Sequence, residues 1–313
     1  MADGETMNAA ADPAFLNDVL EGLAKPQKAV SSRWLYDQRG SELFEEITHL
    51  EEYYPTRTER SILATHAGDM AARIGQGAVV IEYGAGAAVK TRLLLDALAP
   101  KAYAPLDISA DFLREAASGL ADDYPGIAII PLVGNFLEPT DTSGLPAGPR
   151  CGFFPGSTIG NLTDGQIASF FEAARTTLGP DGQFLLGFDL KKDPAVLVPA
   201  YDDAQGVTAA FNLNLLTRIN RELGGDFSLD RFRHEARWCD RESRIEMHIV
   251  SACDQSVTVA GRVFAFDEAE TIHTEISRKF TIAALSKSLG ATGWRVGATW
   301  QDPKGYFCMA LLA

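Results

Sequence analysis

Apolar positions in the first part of the chain fall at helical spacing. From Pro13 to Tyr54 the sequence reads as helix in pieces, with Phe15, Val19, Leu20 and Leu23 on one stripe and Leu43, Phe44, Ile47 and Leu50 on another. Pro55 then breaks the pattern. The dozen small and acidic residues before Pro13 carry no period and read as a frayed tail.

From Ala78 the text changes to strand, glycine turn and helix in AVVIEYGAGAAVKTRLLLDAL, followed by the strand YAPLDIS, a helix from Ala110 to Asp122, and the strand IAIIPLVGNF. CGFFPG reads as a short strand, Thr163 with Gln166 three residues on as a capping box, and QFLLGFDL as a fifth strand. Alternation of this length predicts a parallel sheet covered by helices. A helix from Val207 to Leu223 and the alternating runs RFRHEARW, SRIEMHIVSA and SVTVAGRVFAF interrupt the series and predict a separate α+β lobe. A helix from Thr281 to Leu289 and two strand-like runs joined by Asp-Pro-Lys-Gly close the chain as a hairpin. The economical organisation has residues 1–56 as the N-terminal part of the lobe and 57–190 as the first part of the sheet domain. Residues 191–280 are then the inserted lobe, and 281–313 the closing helix and hairpin.

At 313 residues, with 46% apolar and 22% charged, the composition is that of a packed globule. Against 28 Lys and Arg stand 42 Asp and Glu, a formal charge of -14, so the overall field repels phosphate backbones and anionic membranes. Nucleic acid and membrane are not expected partners. No stretch approaches the roughly 20 apolar residues of a membrane helix, and MADGETMNAAADPAF lacks the basic and apolar segments of a signal peptide, so the expected address is the cytoplasm. Nothing demands a partner surface, and a monomer is expected. The four cysteines are far apart with no CxxC, and the five histidines show no metal-ligand spacing, so neither a disulfide nor a metal is expected and no histidine is given a role.

In IEYGAGAAV, Gly84 and Gly86 sit where the first strand meets its helix, a place where backbone can approach a nucleotide-like ligand. A dinucleotide fingerprint wants a third glycine where this chain has Val89, which weakens an NAD reading. Glu82 precedes the first glycine by two, and Asp107 ends the second strand, where a carboxylate can accept both hydroxyls of a ribose. This E-x-G-x-G form resembles motif I of class I methyltransferases, which bind S-adenosylmethionine, and the closing antiparallel hairpin suits that fold. Lys90 could then meet the cofactor's carboxylate. The third strand ends in Gly134-Asn135-Phe136, where an amide can pair with the adenine amine and a ring can pack on the base.

Taken together, YDQRGSELFEEIT, EEYYPTRTE, IEYGAGAAVKT, FPGSTIGNL, AYDDAQGVTAAFN, RIEMH and TEISRKF resemble, in that order and over nearly the whole chain, the L-histidine Nα-methyltransferases of ergothioneine biosynthesis. The resemblance implies an α/β fold: a class I methyltransferase Rossmann-like sheet with a closing antiparallel hairpin, plus a second α+β lobe from the N-terminus and a large insertion. It implies trimethylation of free L-histidine to hercynine, with Gly84, Lys90, Asp107, Asn135 and Phe136 on S-adenosylmethionine. It also implies that Tyr53, Asn161, Tyr201, Glu275 and Ser277 hold histidine, with Tyr36 as the catalytic residue beside the amine and Met247 against the ring. Asp is usual in the family where this chain has Asn135; Asn keeps an acceptor oxygen and loses the charge.

The residues make chemical sense independently. In TIHTEIS, period-2 alternation puts Thr271, His273, Glu275 and Ser277 on one face and Ile272 and Ile276 on the other. A neutral imidazole offers one N–H and one acceptor, so a carboxylate beside a hydroxyl suits it, and Asn161 and Tyr201 are donors for a substrate carboxylate. Two alternatives stay open on these residues: an N-methyltransferase of the same fold acting on another amino acid or aromatic amine, and a non-catalytic S-adenosylmethionine-binding scaffold.

Overall fold

The computed structural model describes residues 12–85, 89–108 and 110–313. These form two compact units: one from the segment ending at Tyr53 together with Asp193–Ser277, the other from Tyr54–Lys192 together with Arg278–Ala313.

The second unit is built on an eight-stranded sheet in the order Val296–Gln301, Phe307–Leu312, Gln183–Asp189, Arg150–Phe154, Val79–Tyr83, Ala102–Asp107 and Ala128–Ile129, with Leu132–Val133 also on Ala102–Asp107. The six segments from Val79–Tyr83 to Gln183–Asp189 pair parallel with one another. Phe307–Leu312 pairs antiparallel with Gln183–Asp189 and with Val296–Gln301, which is the closing hairpin the sequence predicts. All five residues of Val79–Tyr83 are buried, because helices cover both faces of the sheet. Val79, Ile81 and Tyr83 face a core with Phe170, Phe171 and Trp294, whereas Val80 faces one with Met70, Leu94 and Leu95. This is the class I methyltransferase arrangement.

Two elements differ from the sequence pattern. IAIIPLVGNF forms two short pieces, Ala128–Ile129 and Leu132–Val133, rather than one strand, since Pro131 between them has no N–H to give a ladder. Pro55 does not interrupt structure; it lies in the first turn of a helix, Tyr54–Ile74, where its missing N–H costs nothing. That helix supplies Ile62, Leu63, Met70 and Ile74 to the core.

The first unit pairs a four-stranded sheet, ordered Lys28–Ala29, Thr271–Arg278, Arg244–Ser251 and Phe232–Cys239, with a hairpin of Gln255–Val259 and Arg262–Phe266. Helix Val207–Leu223 spans the residues predicted from its pattern and ends on Gly224, whose φ of 62° suits a residue without a Cβ. Helix Gln38–Thr48 is capped by Asp37 and begins beside Gly40, where an added Cβ would stand 1.8 Å from the carbonyl oxygen of Leu35. The YDQRG motif is thus partly structural: Asp37 also accepts from Asn214 at 2.8 Å and Arg221 at 2.7 Å.

Candidate active site

In the first unit the fold gathers Tyr36, Tyr53, Tyr201, Glu275 and Ser277. Glu275 and Ser277 are both buried, at 8% and 5% exposure, so their strand does not present a solvated face there. Strict alternation does not hold along Thr271–Arg278 either: Thr274 and Glu275 are buried in succession while Ile276 is half-buried. The Tyr36 hydroxyl lies 3.5 Å from Glu275 Oε1, and the Tyr201 hydroxyl 2.8 Å from Ser277 Oγ. The Tyr36 ring meets Phe44 and Phe211 edge-on, at 5.6 and 5.4 Å, and Tyr53 meets Phe44 and Tyr201, both at 6.1 Å. These edge contacts fix ring planes as well as positions. Met247 is buried in the same unit.

Tyr36 is 39% exposed overall. Burial around its hydroxyl, then the charge of Glu275 and the phenols of Tyr53 and Tyr201, raise it well above the ordinary tyrosine range. It is a protonated phenol at neutral pH, able to donate to Glu275 and to accept from an amine.

A buried relay that spacing did not reveal supports this set. Asn212, fully buried, accepts from Thr274 Oγ1 at 2.7 Å and donates to the carbonyl of His248 at 3.1 Å and to His234 Nδ1 at 2.8 Å. His234 Nε2 lies 2.7 Å from the carbonyl oxygen of Tyr201, which sets its tautomer as Nε2–H and holds the Tyr201 backbone. Both belong to runs noted in the sequence, and only the fold shows them meeting.

The histidines also differ from their spacing. Glu246, His248 and His273 place ligand-type atoms within 4.8 Å of one another, although 25 residues of sequence separate the two histidines. Arg244 already holds Glu246, its Nε 2.8 Å from Oε1. Burial lowers His273, and burial with the charge of His273 brings His248 down to about 4; His234 is lowered by burial too. Ordinary histidine in the unfolded chain takes a proton near 6.5 while these resist it, so the stability they contribute is complete above 6.5 and is lost as pH falls below it, for His248 down to about 4. Melting temperature is therefore expected to fall between pH 7 and 5, and less steeply in His248→Gln. Glu82, raised to about 7 by burial, acts in the opposite direction in both proteins, so the test is the difference in slope; equal slopes in scanning calorimetry would contradict the assignment.

In the second unit, the glycine turn follows Val79–Tyr83. Gly84 has a φ of 67°, a conformation that L side chains rarely adopt, and among the described residues an added Cβ would meet only Phe154, 3.9 Å away. Gly86 lies outside the described residues. Glu82 is buried near the end of Val79–Tyr83 and its Oε2 accepts from Thr91 Oγ1 and the Tyr103 hydroxyl, each at 2.7 Å, which ties the strand to the helix Val89–Leu98 and to the strand Ala102–Asp107. Asp107 is half-buried at the carboxyl end of its strand, whose backbone oxygen there accepts from Gly134 N at 3.0 Å.

Asn135 is exposed; its Oδ1 accepts from Leu137 N at 3.1 Å and its Nδ2 lies 3.3 Å from Glu138 Oε1. Phe136 is held against Phe154 and Phe170 at 5.7 and 5.8 Å. Lys90 Nζ sits 2.7 Å from Glu59, a fully buried carboxylate that also takes the N–H of Gly156 at 2.9 Å. The sequence reading missed Glu59, the last residue of EEYYPTRTE, together with its helix. Asn161 belongs to this unit, ending a short 3-10 turn after the strand Arg150–Phe154.

The sequence pattern of the family described as "Histidine-specific methyltransferase, SAM-dependent" matches residues 15–313. The chain belongs to this family. It is 43% identical over 305 residues to the Histidine N-alpha-methyltransferase of Mycolicibacterium smegmatis, covering 95% of this chain and 94% of that one. It is 39% identical over 197 residues to the Ergothioneine biosynthesis protein 1 of Neurospora crassa, covering 61% of this chain and 22% of that one. In fold it is similar to an S-adenosylmethionine-dependent methyltransferase from Clostridium acetobutylicum, with a TM-score of 0.50 at 12% identity over 87% of this chain and 97% of that one. The cofactor of this histidine-specific methyltransferase is S-adenosylmethionine, and the residues fit it: Gly84 at positive φ after its strand, a carboxylate at the end of the next strand and a clamped aromatic ring. Among the described residues of the methyltransferase, no helix is long and apolar enough to cross a membrane.

Proposed function

We propose that the protein trimethylates the α-amine of free L-histidine to hercynine, the first step of ergothioneine biosynthesis. The observation that carries this reading is Glu275, a buried carboxylate beside Tyr36, with the hydroxyl of Ser277 two residues along and fixed to Tyr201. A carboxylate accepts the ring N–H of a neutral imidazole, and a hydroxyl donates to its other nitrogen. Met247 packs on the ring.

Asn161 and Tyr201 give hydrogen bonds to the substrate carboxylate. Tyr36 and Tyr53 accept from the amine and orient its lone pair, and their ring faces favour the cationic products. Tyr36, kept protonated by its surroundings, orients the amine rather than taking its proton. Gly84 and Gly86 allow backbone approach to S-adenosylmethionine, Asp107 holds its ribose, Asn135 and Phe136 its adenine, and Lys90, steadied by Glu59, its carboxylate. When bound, the sulfonium supplies an electrophilic methyl group. The protein's own contribution is to hold the amine in line, which is worth more here than acid or base chemistry.

The reading includes a monomer acting in the cytoplasm; four unpaired cysteines, Cys151, Cys239, Cys253 and Cys308, suit a reducing compartment. It is tested by histidine methylated on the ring nitrogens. Blocking the N–H that Glu275 accepts is expected to lower kcat/KM at least tenfold, since a charge-assisted bond is lost. Equal turnover of histidine and both ring-methylated forms would count against the pocket.

A further inference from the structure

A second buried cluster lies in the sheet unit, among residues with no part in binding cofactor or substrate. Asp189, at the carboxyl end of Gln183–Asp189, is fully buried. Its Oδ2 accepts from the Tyr54 hydroxyl at 2.7 Å and from Lys279 Nζ at 2.8 Å, and its Oδ1 from Lys192 Nζ. Lys192 also donates to the Tyr54 hydroxyl at 2.8 Å. Two ammonium groups around one carboxylate is an expensive arrangement away from water, and burial brings Lys192 down to about 8. A core that needed only stability would do as well with apolar side chains of the same volume.

What these residues share is their place along the chain. The chain passes between the two units three times, after Tyr53, after Lys192 and after Ser277. Tyr54 is the first residue after one passage, Lys192 the last before another, and Lys279 the second after the third. All three donate to the one carboxylate.

Backbone bonds lock the same point: Phe280 N donates to Asp189 O at 2.9 Å, Lys191 N to Phe280 O at 2.8 Å, and Leu190 N to Tyr306 O at 3.0 Å. Asp189 N in turn donates to Ser157 Oγ at 3.0 Å. Ser157 is held at a φ of 57° and begins the turn that ends in Asn161, its carbonyl taking Gly160 N at 2.8 Å. Gly160 is required there, because a Cβ would stand 2.9 Å from the Arg278 carbonyl oxygen. The segments tied to Asp189 thus carry Tyr53, Ser277 and Asn161.

We infer that Asp189 is a positioning residue for substrate binding: its carboxylate and N–H fix the ends of the segments carrying Tyr53 and Ser277 and the turn carrying Asn161. It touches neither histidine nor cofactor, and acts through those three residues. The inference rests on the proposed function, which identifies what they bind.

Tyr54→Phe removes one hydroxyl and keeps the ring that meets Tyr306 at 5.3 Å, so it is the variant that folds; Lys279→Met removes a whole arm of the cluster, and Lys279→Arg returns the charge. Histidine KM and kcat are measured in turnover, and S-adenosylmethionine Kd separately by calorimetry. Tyr54→Phe is expected to raise histidine KM about fivefold to tenfold and leave the cofactor Kd within about twofold. Lys279→Met should raise histidine KM further, with partial recovery in Lys279→Arg. A merely structural role would lower melting temperature and weaken both ligands together. Wild-type turnover of histidine is read first: its absence overturns the proposed function and this inference with it. With wild-type turnover established, an unchanged histidine KM in Tyr54→Phe, or a parallel loss of cofactor affinity, overturns the inference alone.

Discussion

Asp107→Ala is expected to weaken S-adenosylmethionine binding by about two to four orders of magnitude while leaving the fold intact. The carboxylate ends the strand Ala102–Asp107 next to the strand that leads into the glycine turn, and two oxygens there can accept both ribose hydroxyls. Hydrogen bonds to a charged group contribute about 1.5–3 kcal/mol each, and two of them give the expected loss. Backbone bonds hold the strand end: Gly134 N bonds the backbone oxygen of Asp107, and Gly84 N that of Leu106, at 3.0 and 2.9 Å. Asp107→Asn, which keeps one acceptor and loses the charge, should fall between. Calorimetric titration with S-adenosylmethionine checks this, and an affinity for Asp107→Ala within about threefold of wild type would remove the ribose from this residue.

Glu275→Ala should do the converse, raising histidine KM by one to two orders of magnitude with cofactor affinity nearly unchanged. Removing the carboxylate deletes a charge-assisted acceptor for the ring N–H and takes away the partner of the Tyr36 hydroxyl, 3.5 Å off. The residues proposed for the cofactor belong to the other unit. Glu275→Gln keeps the shape and one acceptor oxygen, and should recover part of the loss. Steady-state kinetics beside cofactor titration separates the two ligands; equal weakening of both would mean that Glu275 supports the fold at large rather than the imidazole.

The sequence made the sheet legible because its signals are local. Glycine after an apolar run, the Thr163–Gln166 capping box and the Asp-Pro-Lys-Gly turn each mark a boundary within a few residues, and each stands where expected. The Tyr54–Ile74 helix was not legible, since a proline read as a breaker is also the residue best suited to open a helix. Its loss took Glu59 and Tyr54 with it.

The residues proposed for the substrate stand in motifs that the sequence shows, but it does not show how the buried groups around them pair. Asn212 with His234, and Asp189 with Lys279, are joined across 22 and 90 residues of sequence, and no spacing rule reaches that far. Alternation along Thr271–Arg278 pairs Glu275 with Ser277, and both are buried, but strict alternation does not hold, because Thr274 is buried beside them. Lys90 likewise reads as a free cation at the glycine turn until the fold sets a buried carboxylate against it.

The central claim is the identity of the substrate and the number of methyl groups it receives. Purified protein incubated with S-adenosylmethionine and, separately, each of the twenty amino acids tests it most directly, with products read by mass spectrometry. The account predicts three added methyl groups on histidine and none on the other nineteen. Methylation of a different amino acid, or none of any, would contradict it.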